Sequence, residues 1–367
     1  MKILLLGEYS NVHATLAQGL RELGQDVTVV SNGDFWKDYK RDIDISRTPG
    51  KIGGLKYILR LLKILPQLKG YDIVQLINPM FVELKASRIL YIYKYLRRNN
   101  GKMFLGGFGM DYYWVSTCRN EKPLRYSDFN IGDELRTNRD AMKEIKDWMG
   151  THKEKLNRYI ANDCDGIITG LYEYWVCYHP KFPDKTTFIP YPIICEPDNE
   201  SKINKSYPIK IFIGINKKRS EYKGTDIMLE AAKTIADKYP DKVVLQIAEN
   251  IPYEEYQDMM KGADVILDQL YSYTPSMNPL IAMSKGIICV GGGEPENYEI
   301  INENNLRPII NVLPNKEDVI NKLDYLINHP ENIPELKRQS IEYIHKHHDY
   351  IDVANKYLDF YKSIIQK

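Results

Sequence analysis

The chain has 367 residues, 43% hydrophobic and 27% charged, a composition ordinary for a soluble globular protein and a length that suits two domains better than one core. Lys and Arg total 50 against 49 Asp and Glu, so no global field favours nucleic acid as a partner, and anions must be held by local basic patches. No stretch approaches the roughly 20 apolar residues of a membrane span. The five cysteines lack a Cys-x-x-Cys pair, which fits buried thiols in a reducing compartment and argues against a zinc knuckle or a disulfide framework.

Lys2 to Leu6 reads as a first strand, because its apolar run is shorter than the roughly 7–15 residues of a signal-peptide core; that reading places the protein in the cytoplasm. The loop Gly7-Glu8-Tyr9-Ser10-Asn11 leads into a helix over Val12 to Leu23, then a strand over Val27 to Val30. Such a β-α-β opening is Rossmann-like, and open α/β sheets bind ligands just beyond their strand ends, where Gly7, Tyr9 and Ser10 lie. His13, at the start of the helix, reads either as a contact facing that ligand or as a surface or capping residue. Asp42-Ile43-Asp44 matches a metal-binding Asp-x-Asp by chance, since no ligand strand adjoins it.

The helix near Leu55 to Leu65, with Lys51, Lys56, Arg60, Lys63 and Lys69 in and around it, reads either as a core-packed helix with a basic outer face or as one lying against a membrane surface. Strands follow at Ile73 to Ile77, at Met103 to Leu105 before Gly106-Gly107-Phe108-Gly109, and at Gly166 to Thr169. The polar stretch from Glu196 to Tyr207 reads as a linker.

The second half opens with strand Ile209 to Ile213, a cationic run of Lys217, Lys218 and Arg219, a Lys223-Gly224 turn, and an amphipathic helix from about Thr225. Strand, cationic loop and helix N-terminus in series supply the positive charge and free N–H donors that a diphosphate needs. Strands at Val243 to Ala248, Val265 to Leu267, Ile287 to Val290 and Ile309 to Val312 alternate with helices, which implies a mostly parallel sheet in each half. From about Ile333 the pattern is helical to the end. Tyr350, Ala354, Tyr357, Tyr361 and Ile364 form a stripe to be buried, whereas His345, His347 and His348 read as a solvated face rather than a metal site.

The basic turn, together with Tyr271-Ser272-Tyr273-Thr274-Pro275-Ser276-Met277-Asn278-Pro279 and Ile281-Ala282-Met283-Ser284-Lys285-Gly286, resembles the donor half of GT-B glycosyltransferases, specifically the retaining family four. The resemblance implies two Rossmann-like domains with parallel sheets facing across a cleft: an acceptor domain over 1–195, a linker over 196–207 and a donor domain over 208–345, with a last helix near 346–367 returning to the first. It also implies transfer of a sugar from a nucleotide-diphosphate donor to a hydroxyl of a glycan or lipid-linked glycan, with retention of configuration and without a metal or further cofactor. Arg219 and Lys223, with Lys218 as a substitute, would hold the diphosphate. Gly224, Ser276, Met277, Asn278 and Glu294 would surround the donor; Gly7, Tyr9, Ser10, His13 and Gly107 would face the acceptor. Asp111 stands where relatives carry a polar residue beside the reacting sugar, and reads equally as a cap for the next helix.

The chain departs from the family at its signature pair of glutamates, whose positions hold Tyr273 and Ile281. Three readings stay open. Neighbours such as Asn278, Glu294, Glu296 or Glu299 read the ribose, or the donor is an unusual nucleotide sugar, or the chain keeps the fold without catalysis. A nucleotide-sugar epimerase of the same fold is a further alternative.

Overall fold

A computed structural model of the protein describes residues 1–195 and 207–366, with side chains other than those of Lys218 and Tyr253. Up to residue 195 the elements are β1 (Lys2–Leu6), α1 (Val12–Glu22), β2 (Asp26–Ser31), β3 (Ile43–Asp44), α2 (Gly50–Ile64), β4 (Ile73–Leu76), α3 (Ala86–Asn99), β5 (Lys102–Gly107), α4 (Tyr112–Asn120), β6 (Asn130–Ile131), β7 (Glu134–Leu135), α5 (Arg139–Trp148), α6 (His152–Asp163), β8 (Gly166–Thr169), α7 (Tyr172–Tyr178) and β9 (Thr186–Phe188). From residue 207 come β10 (Ile209–Ile215), α8 (Ser220–Lys223), α9 (Thr225–Lys238), β11 (Val243–Glu249), α10 (Tyr253–Met260), β12 (Val265–Leu267), α11 (Met277–Met283), β13 (Ile288–Gly291), α12 (Pro295–Glu299), β14 (Ile310–Asn311), α13 (Lys316–Asn328), α14 (Ile333–His348) and α15 (Tyr350–Ile365). The linker expected over 196–207 lies outside the described residues apart from Tyr207. Among the described residues no helix is long and apolar enough to cross a membrane.

The chain divides into two compact units. The first comprises residues 1–117, 144–192 and the C-terminal stretch from Tyr350. Its seven-stranded sheet has the order β3-β2-β1-β4-β5-β8-β9, with every pair parallel. Ile3, Leu4 and Leu5 are consecutive, yet all three are fully buried; helices cover both sheet faces, so these strands read as apolar runs and not as alternation. From β1 the chain winds one way to β2 and β3, then back the other way from β4. That reversal opens a crevice beyond the C-terminal ends of β1 and β4.

Helix α15 closes this unit through the tyrosine stripe: Ala354, Tyr357, Tyr361 and Ile364 are buried, while Tyr350, expected in the same stripe, is only half-buried and donates its hydroxyl to Glu22; the Tyr361 ring lies 4.7 Å from that of Phe104. Close approach to α1 depends on Gly19, where an added Cβ would sit 2.4 Å from the Tyr350 carbonyl oxygen and 2.9 Å from the Ala354 Cβ. Gly→Ala in a helix ordinarily gains about 0.5–1 kcal/mol, but forcing a carbon into a packed contact costs about 1–3 kcal/mol, and here the obstacle is backbone. Gly19→Ala is therefore expected to destabilise by about 1–2 kcal/mol, read as a lower urea midpoint at unchanged slope.

The second unit comprises residues 118–143 and 193–349. Its five-stranded parallel sheet has the order β11-β10-β12-β13-β14, so the reversal falls between β10 and β12. Ile209, Ile211 and Ile213 of β10 pack in one core with Met228, Ala231, Ala232 and Ile235 of α9, the face that the sequence periodicity marks. Residues 118–143, read above as part of the first half, cluster with this unit and contribute the antiparallel hairpin β6-β7.

The C-terminal helical pattern breaks at Asp349, so that α14 belongs to the second unit and α15 to the first. The solvated face expected for the histidines is corrected: His345 is exposed, but His347 and His348 are buried. His347 Nε2 lies 2.6 Å from Glu303 Oε2, which also accepts from Lys346 at 2.7 Å. A buried carboxylate from a loop distant in sequence draws that face inward. All five cysteines are free thiols.

Candidate functional site

In the first unit the switch point holds a cavity of about 240 Å³, lined among others by Gly7, Glu8 and Tyr9 after β1, Tyr57 of α2, and Ile77 after β4. Its chemical centre is Glu8. The carboxylate accepts from the His13 N–H at 3.2 Å and the Ala14 N–H at 2.8 Å, filling the donors that the first turn of α1 leaves open. Burial nevertheless pushes the Glu8 pKa up to about 8, helped by Asp34 and opposed by those N–H bonds.

Because the folded value is raised above 4.5, the stability Glu8 contributes is complete below that pH and is lost as pH rises through about 8. The protein is thus expected to lose about 2–4 kcal/mol between pH 5 and 9 through this group. Glu8→Gln should flatten that slope at the cost of one N–H bond; thermal melts of both proteins across the range check it, and parallel slopes would refute the assignment.

His13 is fully buried, neither a surface residue nor a side-chain cap. Its Nδ1 lies 2.8 Å from the Gly7 carbonyl oxygen, so the neutral ring carries its proton there, and burial pushes its pKa down to about 3. Nε2 has no hydrogen-bond partner among the described residues. Ser10 donates its N–H to Asp34 at 2.9 Å, and Lys37 bridges Asp34 and the Ser10 hydroxyl. Gly107 lies at the buried end of β5, where an added Cβ would meet the Tyr178 ring at 3.1 Å; it packs and does not line the cavity.

Asp111 is also fully enclosed. It accepts from the Trp114 N–H at 2.9 Å and the Tyr178 hydroxyl at 2.7 Å, the capping arrangement for α4. Burial raises its pKa to about 6 against those two donors. Asp42 and Asp44 are held by Arg21 and by Arg41 with Ser46. Among the described residues no group of three His, Cys, Asp or Glu side chains is arranged to hold a metal.

In the second unit the crevice beyond β10 and β12 receives the basic turn. A short 3-10 turn, Lys217–Arg219, runs into α8, and Gly224 joins α8 to α9 at φ 73°. Only glycine serves there, since an added Cβ would also sit 2.8 Å from that of Leu270. Arg219 is exposed, its guanidinium 4.9 Å from the Tyr222 ring; the Lys218 side chain lies outside the described residues. Lys223 anchors the turn through its carbonyl, which accepts from the Leu270 N–H at 3.0 Å.

Asp268, directly after β12, faces the Lys223 charge. Burial raises its pKa to about 6 while Lys223 pulls it down, and its Oδ2 is buried without a hydrogen-bond partner among the described residues. At the start of α11 the Ser276 carbonyl accepts from the Leu280 N–H at 3.2 Å, Met277 is buried, and Asn278 donates to the Tyr256 hydroxyl at 2.6 Å.

Residues 118–143 cover part of this end. Arg125 binds Glu294 at 2.8 Å and Glu296 at 2.6 Å, and its guanidinium lies 4.8 Å from the ring of Tyr273. Tyr126 donates to Glu294. Arg136 stacks 3.4 Å over Tyr271 and donates to the carbonyls of Glu221 and Tyr222 in α8. Glu294 is therefore tied up by Arg125 and Tyr126, and Tyr273 is buried beneath them.

Sequence reading missed Arg125, Tyr126 and Arg136 because their partners lie far along the chain, 169 residues away for the Arg125–Glu294 pair. It missed Glu8 and Asp268 although they lie two residues and one residue beyond the ends of β1 and β12, a position that could have singled them out.

Two α/β units, each a parallel sheet with a switch-point crevice, define a GT-B fold. No protein-family model matches the chain, and no curated protein matches its sequence. Solved structures do. HepE from Anabaena, in complex with UDP and glucose, matches at TM-score 0.60 and 11% identity over 99% of this chain and 100% of its own. WaaG, a glycosyltransferase involved in lipopolysaccharide biosynthesis, matches at 0.56 and 12% over 98% and 99%. A putative UDP-N-acetylglucosamine 2-epimerase from Listeria monocytogenes matches at 0.57 and 12% over 100% and 97%. At such identities the likeness carries the fold alone.

Proposed function

We propose that the protein is a retaining glycosyltransferase of the family-four type, moving a sugar from a nucleotide diphosphate to a hydroxyl of a glycan or lipid-linked glycan in polysaccharide biosynthesis in the cytoplasm. The observation that carries this reading is the cationic turn at the second unit's switch point, where Arg219 and Lys223 flank α8 and Gly224 opens α9. A diphosphate seated there meets positive side chains and the N–H groups of the α9 first turn. As the glycosidic bond to the diphosphate breaks, negative charge builds on the leaving oxygens, and Arg219 and Lys223 neutralise it without a metal. Ser276, Met277 and Asn278 would hold the sugar and ribose. At the first unit's switch point Tyr9, Ser10 and the Glu8 carboxyl would meet the acceptor. Asp111 acts through α4, as the cap that fixes the loop after β5. HepE, with UDP bound, supports the nucleotide class.

The test is thermal shift against UDP, GDP, ADP, CMP and dTDP. Ligand at 100 times its dissociation constant adds about 2.7 kcal/mol, so one diphosphate should raise the melting temperature clearly. A second reading has its own observation: Tyr273 and Ile281 stand at the glutamate positions, with Tyr273 buried under Arg125. If no diphosphate shifts the melt, the chain is a silent GT-B protein. Epimerisation of a UDP-sugar without acceptor would instead make it an epimerase.

A further inference from the structure

Helix α2 has two apolar faces. Tyr57, Leu61 and Ile64 are buried in the first unit, while Ile52, Leu55, Leu59 and Leu62 are 58–73% exposed. At 100° per residue these four fall within an 80° arc on the side opposite the buried face. Lys56, Arg60 and Lys63 flank the arc on one side and Lys51 on the other, all exposed, and the helix carries no acidic residue. Arg60 also donates to the Ser46 carbonyl at 3.0 Å and lies 3.8 Å from Asp44. Phe35 and Trp36 are more than 60% exposed, and Phe35 lines the same cavity as Tyr57 of α2. A core-packed helix with a basic outer face would present lysines outward; it would not present a strip of leucine and isoleucine between them.

We propose that α2 docks the protein on an anionic lipid bilayer, with Ile52, Leu55, Leu59 and Leu62 entering the acyl boundary and Lys51, Lys56 and Lys63 meeting phosphate headgroups. An apolar strip bordered by cations is the pattern that partitions into such an interface. A second copy of the chain fits worse, because a twofold contact on this strip would bring the same lysines together. Docking does not rest on the transferase reading.

Cosedimentation with vesicles decides it. The protein should pellet with mixed phosphatidylglycerol and phosphatidylcholine, far less with phosphatidylcholine alone, and less again at high salt. Leu55→Glu/Leu59→Glu should lower the bound fraction at least about tenfold, and Lys56→Glu/Lys63→Glu should weaken binding to anionic vesicles, both with unchanged melting temperature because the side chains are exposed. The proposal is overturned if the wild type stays in the supernatant with anionic vesicles, if the leucine variant binds as well as wild type, or if sedimentation shows a dimer that the leucine variant dissolves. No nucleotide enters the assay, so its failure is separate from failure of the transferase reading.

Discussion

Lys223→Ala is expected to lower transfer by about two to three orders of magnitude, the usual effect of deleting one group that meets charge developing in the transition state. Affinity for whichever diphosphate stabilises the wild type should fall with it. The fold should survive, because Lys223 holds its turn through a backbone carbonyl accepting from Leu270, and that contact does not depend on the side chain. What changes is Asp268. Its pKa is already raised to about 6 by burial, with Lys223 pulling it down; without the cation it rises further. A raised carboxyl contributes stability at low pH that is lost as pH climbs through the folded value, so the variant and wild type should melt together at pH 5 and diverge modestly at pH 8. Lys223→Arg should recover part of the rate, as a charge effect requires. Near-normal turnover by the alanine variant would remove Lys223 from the mechanism.

Arg125→Ala should cost the second unit about 1–3 kcal/mol near neutral pH. Removing one partner of a buried ion pair typically costs about 3–5 kcal/mol, but the Arg125 side chain is 55% exposed and solvent screens it, so the lower figure applies. Glu294, only 6% exposed, would keep the Tyr126 hydroxyl and lose its cation. Glu296 sits below its ordinary carboxylate range; burial opposes this, and the Arg125 hydrogen bonds and charge outweigh it. For a depressed carboxyl the contribution is present above 4.5 and is lost as pH falls through the folded value. Urea unfolding of wild type and variant should therefore differ at pH 7 and converge toward pH 3. Equal midpoints at pH 7 would mean that residues 118–143 are held by Arg136 and the hairpin alone.

What could be read from residue order was what is local. Ile209 to Ile213 announces a strand buried on both faces, and Lys223-Gly224 announces a left-handed turn, because neither needs a distant partner to be recognisable. The alternation of such strands with helices is enough to give two parallel sheets, and the second sheet's switch point falls where the basic turn was placed. Partnership was not legible. Asp42 and Asp44 look alike in sequence, yet one belongs to Arg21 and the other to Arg41. His347 carries no mark of Glu303, and nothing near Arg125 points to Glu294.

The sequence by itself thus determined the two-sheet architecture, the cationic turn and the buried tyrosine stripe of the last helix, since backbone preference and hydrophobic period act over a few residues. Tertiary structure decided which carboxylates stay acidic, which histidine is neutral, that residues 118–143 join the second unit, and that the outer face of α2 is apolar between its lysines. Those properties depend on burial and on charges brought near by chain segments remote in sequence, and no local pattern encodes either.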